Sequence, residues 1–535
     1  MSSPLSSLRQ KLARLIAGPA PARGGQRSYS AARATRTTGG FGTSTSSADA
    51  ELHQDLTRLR NRSRALVRDS AYAKRARNII INNVVGTGVG LQAQVISTRG
   101  ELNERVNAGI EGAWREWCKA DACHTGGTLH FADLERAALG QVFEAGEVVV
   151  RMHFRRFGAS RVPLSLELIE AERLADEFSQ PAGTGGLTPG HELRLGVEVD
   201  SFGRPVAYYI RERHQGDLRF SMAGMPDRFE RVPAEQIFHL RVVTRWPQTR
   251  GEPWMHTVVR KIDDLNEYSQ LEVSAARAAA AYFATIETAD LENPLVDKVE
   301  DDGAPVMNID PLTIQELAPG EKLQFHTPNR PNAAFDAFVR SLLREVAAGC
   351  GVSYESLSRD YSQGNYSSSR MGLLDDRDGF RTLQQWWVRS FRQGLHQVWL
   401  QQAVLAGAVP GVTVEAYALN RERYSAAAFR CRGWSWVDPT KEVTAYKEAV
   451  KAGFITVGAV IEQTGNGMDL EDYLRERRRE LDAMEASGVK VDTTVSDAPA
   501  PVFGSGAPAA PDDDEDEEGA EPTAPSRVLP IRKTA

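Results

Sequence analysis

A chain of 535 residues with 41% hydrophobic and 25% charged residues has material for several domains with substantial cores. No apolar run approaches the ~20 residues a membrane-spanning helix needs, so the chain reads as soluble. Cys118, Cys123, Cys350 and Cys431 are too few and too scattered for a disulfide scaffold, which points to a reducing compartment.

The net charge of −7 is unevenly placed. Residues 1–48 carry seven Lys/Arg and no acid, and residues 491–535 carry ten acids against three bases, which leaves −7 on the body. A protein that grips DNA through its phosphates has a basic body. If DNA is involved here, the charge fits DNA let past better than DNA held.

Residues 1–48 are rich in Ser, Arg, Ala and Gly, and disorder is expected. The same composition is compatible with an organelle transit peptide. Residues 50–82 read as one helix, with Leu52, Leu56, Leu59, Leu66, Ala73, Ala76 and Ile79 largely at helical spacing. Its arginines are expected on a solvated or subunit-facing surface, pairing with Asp55 and Asp69, rather than on nucleic acid. Gly86-Thr87-Gly88-Val89-Gly90 is followed by a strand, Leu91–Ile96, where a dinucleotide fingerprint requires a helix. No G-x-x-x-x-G-K-[ST] occurs, so no P-loop nucleotide site is expected within the chain.

Residues 101–145 read as helical, with Trp114 and Trp117 as core anchors. Cys118, Cys123, His124 and His130 are zinc-type ligands, but their spacing matches no common finger. A loop with buried thiols is expected; a metal-dependent hydrolase using this cluster is the alternative. Strands are expected at Glu147–Phe154, Leu164–Leu168 and Glu235–Leu240. Leu195–Val199, the turn Asp200–Arg204 and Pro205–Ile210 read as a hairpin after a Pro/Gly-rich loop at 180–190. The pattern is α+β with an antiparallel sheet. His239 lies among apolar neighbours and reads as structural.

A second long helix is expected from Pro253 to about Thr288, small-sided across Ala275–Ala281. Prolines 294, 305, 311 and 319 break 289–330 into short strands and turns. A third helix, Ala333 to Gly349, has Phe335, Phe338, Val339, Leu342 and Val346 on one face and stops at Gly349-Cys350-Gly351. A polar loop leads into the longest helix. Ser367, Ser368 and Ser369 are competent N-caps, and Phe380, Leu383, Trp387, Phe391, Leu395 and Val398 recur at spacings of three and four. At ~1.5 Å per residue it spans roughly 50–60 Å, which requires a strut packed along its length. Asp375, Asp376 and Asp378 are expected to complement the dipole of that helix at its start.

Residues 411–432 read as part strand, part helix, and helices are expected at 438–452 and 469–487. From 488 the chain turns to Ala, Pro, Gly and Asp, with an acidic run at Asp512–Glu518, and reads as a disordered tail. There is no G-x-S-x-G, no H-E-x-x-H and no convincing carboxylate pair, so no enzyme, catalytic residue, metal or cofactor is expected.

The order of several segments resembles the lambda-type family of bacteriophage portal proteins. The residues are Asn61–Arg64, Asn82–Gly88, Ala347–Glu355, Asn365–Arg370 with the helix that follows, Trp436–Glu442 and Ala452–Thr456. The likeness runs roughly from Gln26 to Met484, and Tyr29–Ala32 looks like the family's N-terminal arm.

The resemblance implies an α+β portal-like subunit: an α/β wing, long stem helices, a small clip insert and a helical crown, with disordered tails. Its parts fall at 1–48 (arm), 49–252 (wing), 253–288 (first stem helix), 289–330 (clip), 331–350 (second stem helix), 351–369 (tunnel-loop region), 370–406 (long wing helix), 407–487 (wing and crown) and 488–535 (tail). It implies a homododecameric ring at a capsid vertex of the virion, assembled in the host cytoplasm. The implied partners are the terminase large subunit, major capsid and scaffold proteins, head–tail connector proteins and double-stranded DNA passing through the channel; no membrane is implied. Arg359, Tyr361, Asn365, Tyr366 and Arg370 are the residues it brings to the channel loop.

Overall fold

The structure is a computed structural model and describes residues 45–98, 100–185, 187–217, 228–281, 284–287, 298–299, 305–306, 322–325, 334–362, 364–434, 439–464 and 470–488. The basic arm over 1–44 and the acidic tail over 489–535 lie outside the described residues. Two compact units are present, one ending at Pro439 and one starting at Thr440.

The first helical stretch is two helices, α1 (Ala48–Asp69) and α2 (Ala71–Val84). Ser70 between them is extended at φ −105°, ψ 127°, so the single helix expected over 50–82 is broken there. Ser47 caps α1 by accepting from the Ala50 N–H, so the helix opens at Ala48. The apolar spacing is real: Leu52, Leu56, Leu66, Ala73, Ala76 and Ile79 are buried.

Strand β1 (Gly90–Ala93) follows, then α3 (Glu104–Trp117), the short α4 (Ala120–Cys123) and α5 (Phe131–Ala145). Trp114 and Trp117 anchor the core as expected, and the Trp117 indole N–H donates to the Leu164 carbonyl at 2.7 Å. Next come β2 (Glu147–His153), β3 (Ser165–Ile169), β4 (Glu192–Arg194), β5 (Val197–Val199), β6 (Pro205–Arg211), β7 (Phe229–Pro233) and β8 (Ile237–Arg241). They form two antiparallel sheets, ordered β3-β2-β8 and β4-β5-β6-β7.

Successive strand residues point to opposite faces, and β2 uses both. Val148, Val150 and Met152 join the large core of helices. Val149 joins a second core with Ile169, Val197, Val199, Tyr208, Ile210 and Val232. The hairpin expected over 195–210 is present, its turn closed by Asp200 Oδ1 accepting from Phe202 and Arg204 N–H groups.

Helix α6 runs Val259–Ala281, shorter than the Pro253–Thr288 expected. Residues 284–287 are strand β9, paired with β12 (Lys322–Phe325), and β10 (Lys298–Val299) pairs with β11 (Pro305–Val306). Among the described residues of this insert, the short strands match the proline-broken pattern. Helix α7 (Phe335–Cys350) ends at Gly351, left-handed at φ 69°, as the glycine pattern predicts.

After α8 (Tyr354–Ser358) comes α9 (Tyr366–Trp387), one π-turn at Val388–Arg392, and α10 (Gln393–Leu405). The strut is packed over only part of its length. Phe380, Trp387, Phe391 and Leu395 are buried, whereas Met371, Leu373 and Leu374 are exposed. The π-turn buries Arg392, which bonds the Val89 carbonyl at 2.9 Å and approaches Glu135 at 3.6 Å. Helices α11 (Val414–Leu419) and α12 (Arg421–Tyr424) lead to β13 (Ala427–Arg430), which pairs with β1. The second unit holds α13, which opens at Pro439 and ends at Lys451, α14 (Val457–Thr464) and α15 (Leu470–Ala486). No described helix is long and apolar enough to cross a membrane.

Candidate functional site

The segment from Arg359 to Arg370 joins α8 to α9, and both of its ends are fixed by side chains. At the entry, Arg359 closes α8 in the left-handed conformation, φ 59°, and is exposed. Asp360 then accepts from the Ser362 N–H (3.1 Å) and hydroxyl (2.6 Å) and from the Tyr354 hydroxyl (2.9 Å). The Ser362 hydroxyl and N–H, with Tyr354, bring its carboxyl down to about 2, so it is ionised at neutral pH. Arg340 on α7 approaches the same carboxylate at 3.5 Å.

At the exit, Asn365 is the N-cap of α9: its side-chain oxygen accepts from the Ser368 N–H at 2.7 Å. That corrects the expectation that Ser367, Ser368 or Ser369 caps the helix. The physical reason is that an extended Asn365 already places its side-chain oxygen over the third N–H of the helix, leaving the serines inside the first turn. Tyr361 is 65% exposed between the two anchors. Tyr366 is the first residue of α9, its side chain outside the described residues, and Arg370 is half-buried one turn on. The five candidate residues are therefore neighbours along one short segment carrying two arginines and an exposed phenol.

Asp375, Asp376 and Asp378 lie nine to twelve residues into α9, not at its start, so they do not serve its dipole. Asp376 is buried and accepts from the Ser353 N–H (2.7 Å), the Ser353 hydroxyl (2.6 Å) and the Ser356 hydroxyl (3.0 Å). It caps α8 from another helix. Sequence reasoning missed this because the capping partner is 23 residues away along the chain.

The cysteine–histidine cluster is occupied by local bonds. Cys118 and Cys123 are buried, and burial pushes both thiols up, Cys123 to about 12. The Cys123 Sγ faces the Cys118 and Leu129 carbonyls, while His130 caps α5 through Nδ1. Among the described residues, the His/Cys/Asp/Glu group whose ligand atoms converge is Glu170, Glu172 and His214, and Arg64 already grips Glu172 at 2.7 Å.

At the Gly-rich turn, a cleft of about 540 Å³ is lined by Asn82, Gly86, Arg136, Arg430 and Arg432. Arg432 donates to the Asn82 carbonyl at 2.6 Å and Arg136 to the Gly86 carbonyl, so these guanidinium groups complete the C-terminal end of α2. Gly88 is required there: at φ +112°, a Cβ would lie 2.8 Å from the Ala132 methyl.

The family model for phage portal proteins of the lambda family matches residues 34–384, two thirds of the chain and the whole span from α1 through α8 into α9. The chain belongs to the lambda family of phage portal proteins. It is 26% identical over 481 residues to a probable portal protein of Halomonas phage phiHAP-1, covering 86% of this chain and 90% of that protein. To portal protein B of Escherichia phage lambda it is 23% identical over 479 residues, covering 83% and 87%. It is also similar to a chain in the neck of a native GTA particle, with a TM-score of 0.42, 14% identity and coverage of 77% and 93%. In this chain the α8–α9 segment is set by two anchors, Asp360 and Asn365, each holding its neighbours through side-chain oxygens.

Proposed function

We propose that this portal protein forms a dodecameric ring at one vertex of a phage capsid, through which double-stranded DNA is packaged and later ejected. Membership of the portal family carries this reading. The packaging motor is a separate ATP-hydrolysing terminase docking on the ring, in keeping with the lack of a P-loop motif in the sequence. Capsid, scaffold and head–tail connector proteins are its other partners, and the virion its destination after assembly in the host cytoplasm. The subunit's role is structural rather than catalytic.

Within this reading, α6 and α7 are the stem helices and the short strands between them the clip. The Arg359–Arg370 segment is the loop facing the channel, with Arg359, Tyr361, Asn365, Tyr366 and Arg370 at or beside DNA. The body's charge of −7 keeps phosphate off the wall, and a few cations on a loop supply weak contact without gripping.

Negative-stain imaging with light scattering on the purified chain tests the proposal. The expected particle is a ring of about twelve 58.8 kDa subunits with an axial hole wide enough for duplex DNA. A small closed dimer without a bore overturns it.

A further inference from the structure

The cleft at the end of α2 carries more positive charge than the helix end calls for. It has a volume of about 540 Å³, and Arg136, Arg430 and Arg432 line it around Asn82 and the Gly-rich turn. No carboxylate is among the described residues that line it. Arg136 donates to the Gly86 carbonyl and, at 3.0 Å, to Asn82 Oδ1. Arg432 donates to the Asn82 carbonyl at 2.6 Å, and Arg430 to Gln92 Oε1 at 3.0 Å. These acceptors are neutral, so they fix the guanidinium groups without cancelling their charge. The buried arginines of the body are held differently: Arg60 and Arg250 each meet both Glu147 and Asp176. A helix C-terminus carries about half a negative charge, against full cations on Arg136 and Arg432. The surplus sits in a concavity, where field lines concentrate and draw in anions.

The surrounding bonds give the cleft a fixed shape. Gln384 of α9 donates to the Asn83 carbonyl at 2.8 Å and to the Arg432 carbonyl at 2.9 Å, tying the exit of β13 to α2. The Trp434 indole N–H donates to Asn83 Oδ1 at 3.0 Å. Two glycines lie directly beneath the arginine stems. A Cβ on Gly86 would come 3.4 Å from the Arg432 side chain, and one on Gly90 would come 3.4 Å from Arg430 Cβ. A guanidinium has five N–H donors, and the bonds above take only two from Arg136 and one from Arg432. A phosphate group suits such a pair. It gathers several oxygens and up to two charges on one centre, and a planar guanidinium fork grips it bidentately. A carboxylate offers two oxygens and a single charge.

We propose that this cleft is a phosphate-binding site, with the anion held between Arg136 and Arg432 and Arg430 completing the lining. The phosphate belongs either to a small free ligand or to the backbone of a nucleic acid, and the test below separates the two. None of these residues lies in the Arg359–Arg370 segment, so the inference is independent of the channel reading.

Isothermal titration calorimetry of the full-length chain with pyrophosphate is the test. Pyrophosphate should bind, and Arg432→Gln should weaken it roughly tenfold or more. Thr87→Glu sets an acid at an exposed position of the cleft wall and touches none of the bonds named above. It should weaken binding by a similar factor, which keeps the result independent of an arginine that also supports the helix. Arg58→Gln with Arg62→Gln removes two charges from the exposed face of α1 and should leave the affinity unchanged. Citrate, a carboxylate anion of similar charge at neutral pH, should bind at least roughly tenfold more weakly. A short DNA duplex that displaces pyrophosphate assigns the site to nucleic-acid phosphodiesters; a duplex that does not displace it assigns the site to a small phosphate ligand. The proposal is overturned by no binding of pyrophosphate, by parental affinity in both Arg432→Gln and Thr87→Glu, by an equal loss in the α1 variant, or by citrate binding as tightly. Unchanged far-UV circular dichroism separates loss of binding from loss of fold.

Discussion

Asp376, on the long helix α9, accepts from the backbone N–H of Ser353 at 2.7 Å and thereby caps a different helix, α8. The same carboxylate takes the Ser353 and Ser356 hydroxyls, so it holds the short helix on the entry side of the proposed channel loop. Asp376→Ala leaves a partly buried N–H and two hydroxyls without their acceptor, at a cost of about 1–3 kcal/mol. Asp376→Asn should cost less, because its carbonyl oxygen still accepts. Urea unfolding of the two variants checks the order; equal stability of Asp376→Ala and the parent would show that the cap contributes nothing.

The buried charges between α1 and the sheets make a second prediction. Glu147 is fully buried and meets Arg250 (2.6 Å), Arg60 (3.4 Å) and His239 (2.8 Å), while Asp176 takes the far sides of Arg60 and Arg250. Burial alone would push the Glu147 carboxyl up; the Arg250 charge and the bonds from His239 and Arg250 override it and hold it well below the usual range. Glu147→Ala removes the anion and leaves two guanidinium groups buried, which should destabilise by about 3–5 kcal/mol. An exposed pair such as Arg68–Asp69, screened by water, should contribute far less by the same unfolding assay.

Two buried histidines set the pH dependence. Burial, then the charges of neighbouring arginines, lowers His239 and His396 to about 4 each. His239 is neutral at pH 7, with Nε2–H donating to Glu147 and Nδ1 accepting from Arg241 at 3.1 Å. Folded pKa values below the unfolded value of 6.5 mean the unfolded chain binds protons first. Stability is therefore full above pH 6.5 and falls as pH drops from 6.5 towards 4. Each histidine contributes a slope of about 1.4 kcal/mol per pH unit in that window. His239→Gln, which keeps a donor to Glu147, should flatten the slope measured by urea unfolding at several pH values; an unchanged slope would mean His239 titrates normally.

These groups also mark how far the sequence could be read. Period-three and period-four spacing predicted the buried stripe of α9–α10, and alternation predicted β2, β3 and the β5–β6 hairpin, because local geometry decides which side a residue faces. Arg60 reads as one more cation on a solvated helix, yet it is buried against Glu147 and Asp176, residues 87 and 116 positions away. Asp376 fits a dipole role by neighbourhood and caps α8 by tertiary contact. The break at Ser70 is equally silent, since Ala71, Tyr72 and Ala73 continue the helical pattern and only packing decides the bend. At the candidate site, Asn365 was legible as a residue but not as the cap, which depends on one extended ψ of 163°.

Arg359 is where the loop's charge and its geometry can be separated. A non-glycine residue at φ 59° carries a steric penalty of about 1–2 kcal/mol, so Arg359→Gly should stabilise the α8 exit while removing the charge. Arg359→Lys keeps both charge and strain. If the proposed loop touches DNA through its cations, Arg359→Lys packages DNA as the parent does and Arg359→Gly packages less despite its greater stability. The reverse order would assign Arg359 to chain direction alone. Deleting residues 361–364, which spares the Asn365 cap of α9, should leave ring assembly intact and impair packaging or retention of DNA. Assembly is read by negative stain and packaging by the nuclease-protected DNA of assembled particles. Normal packaging by that deletion would remove the segment from the channel.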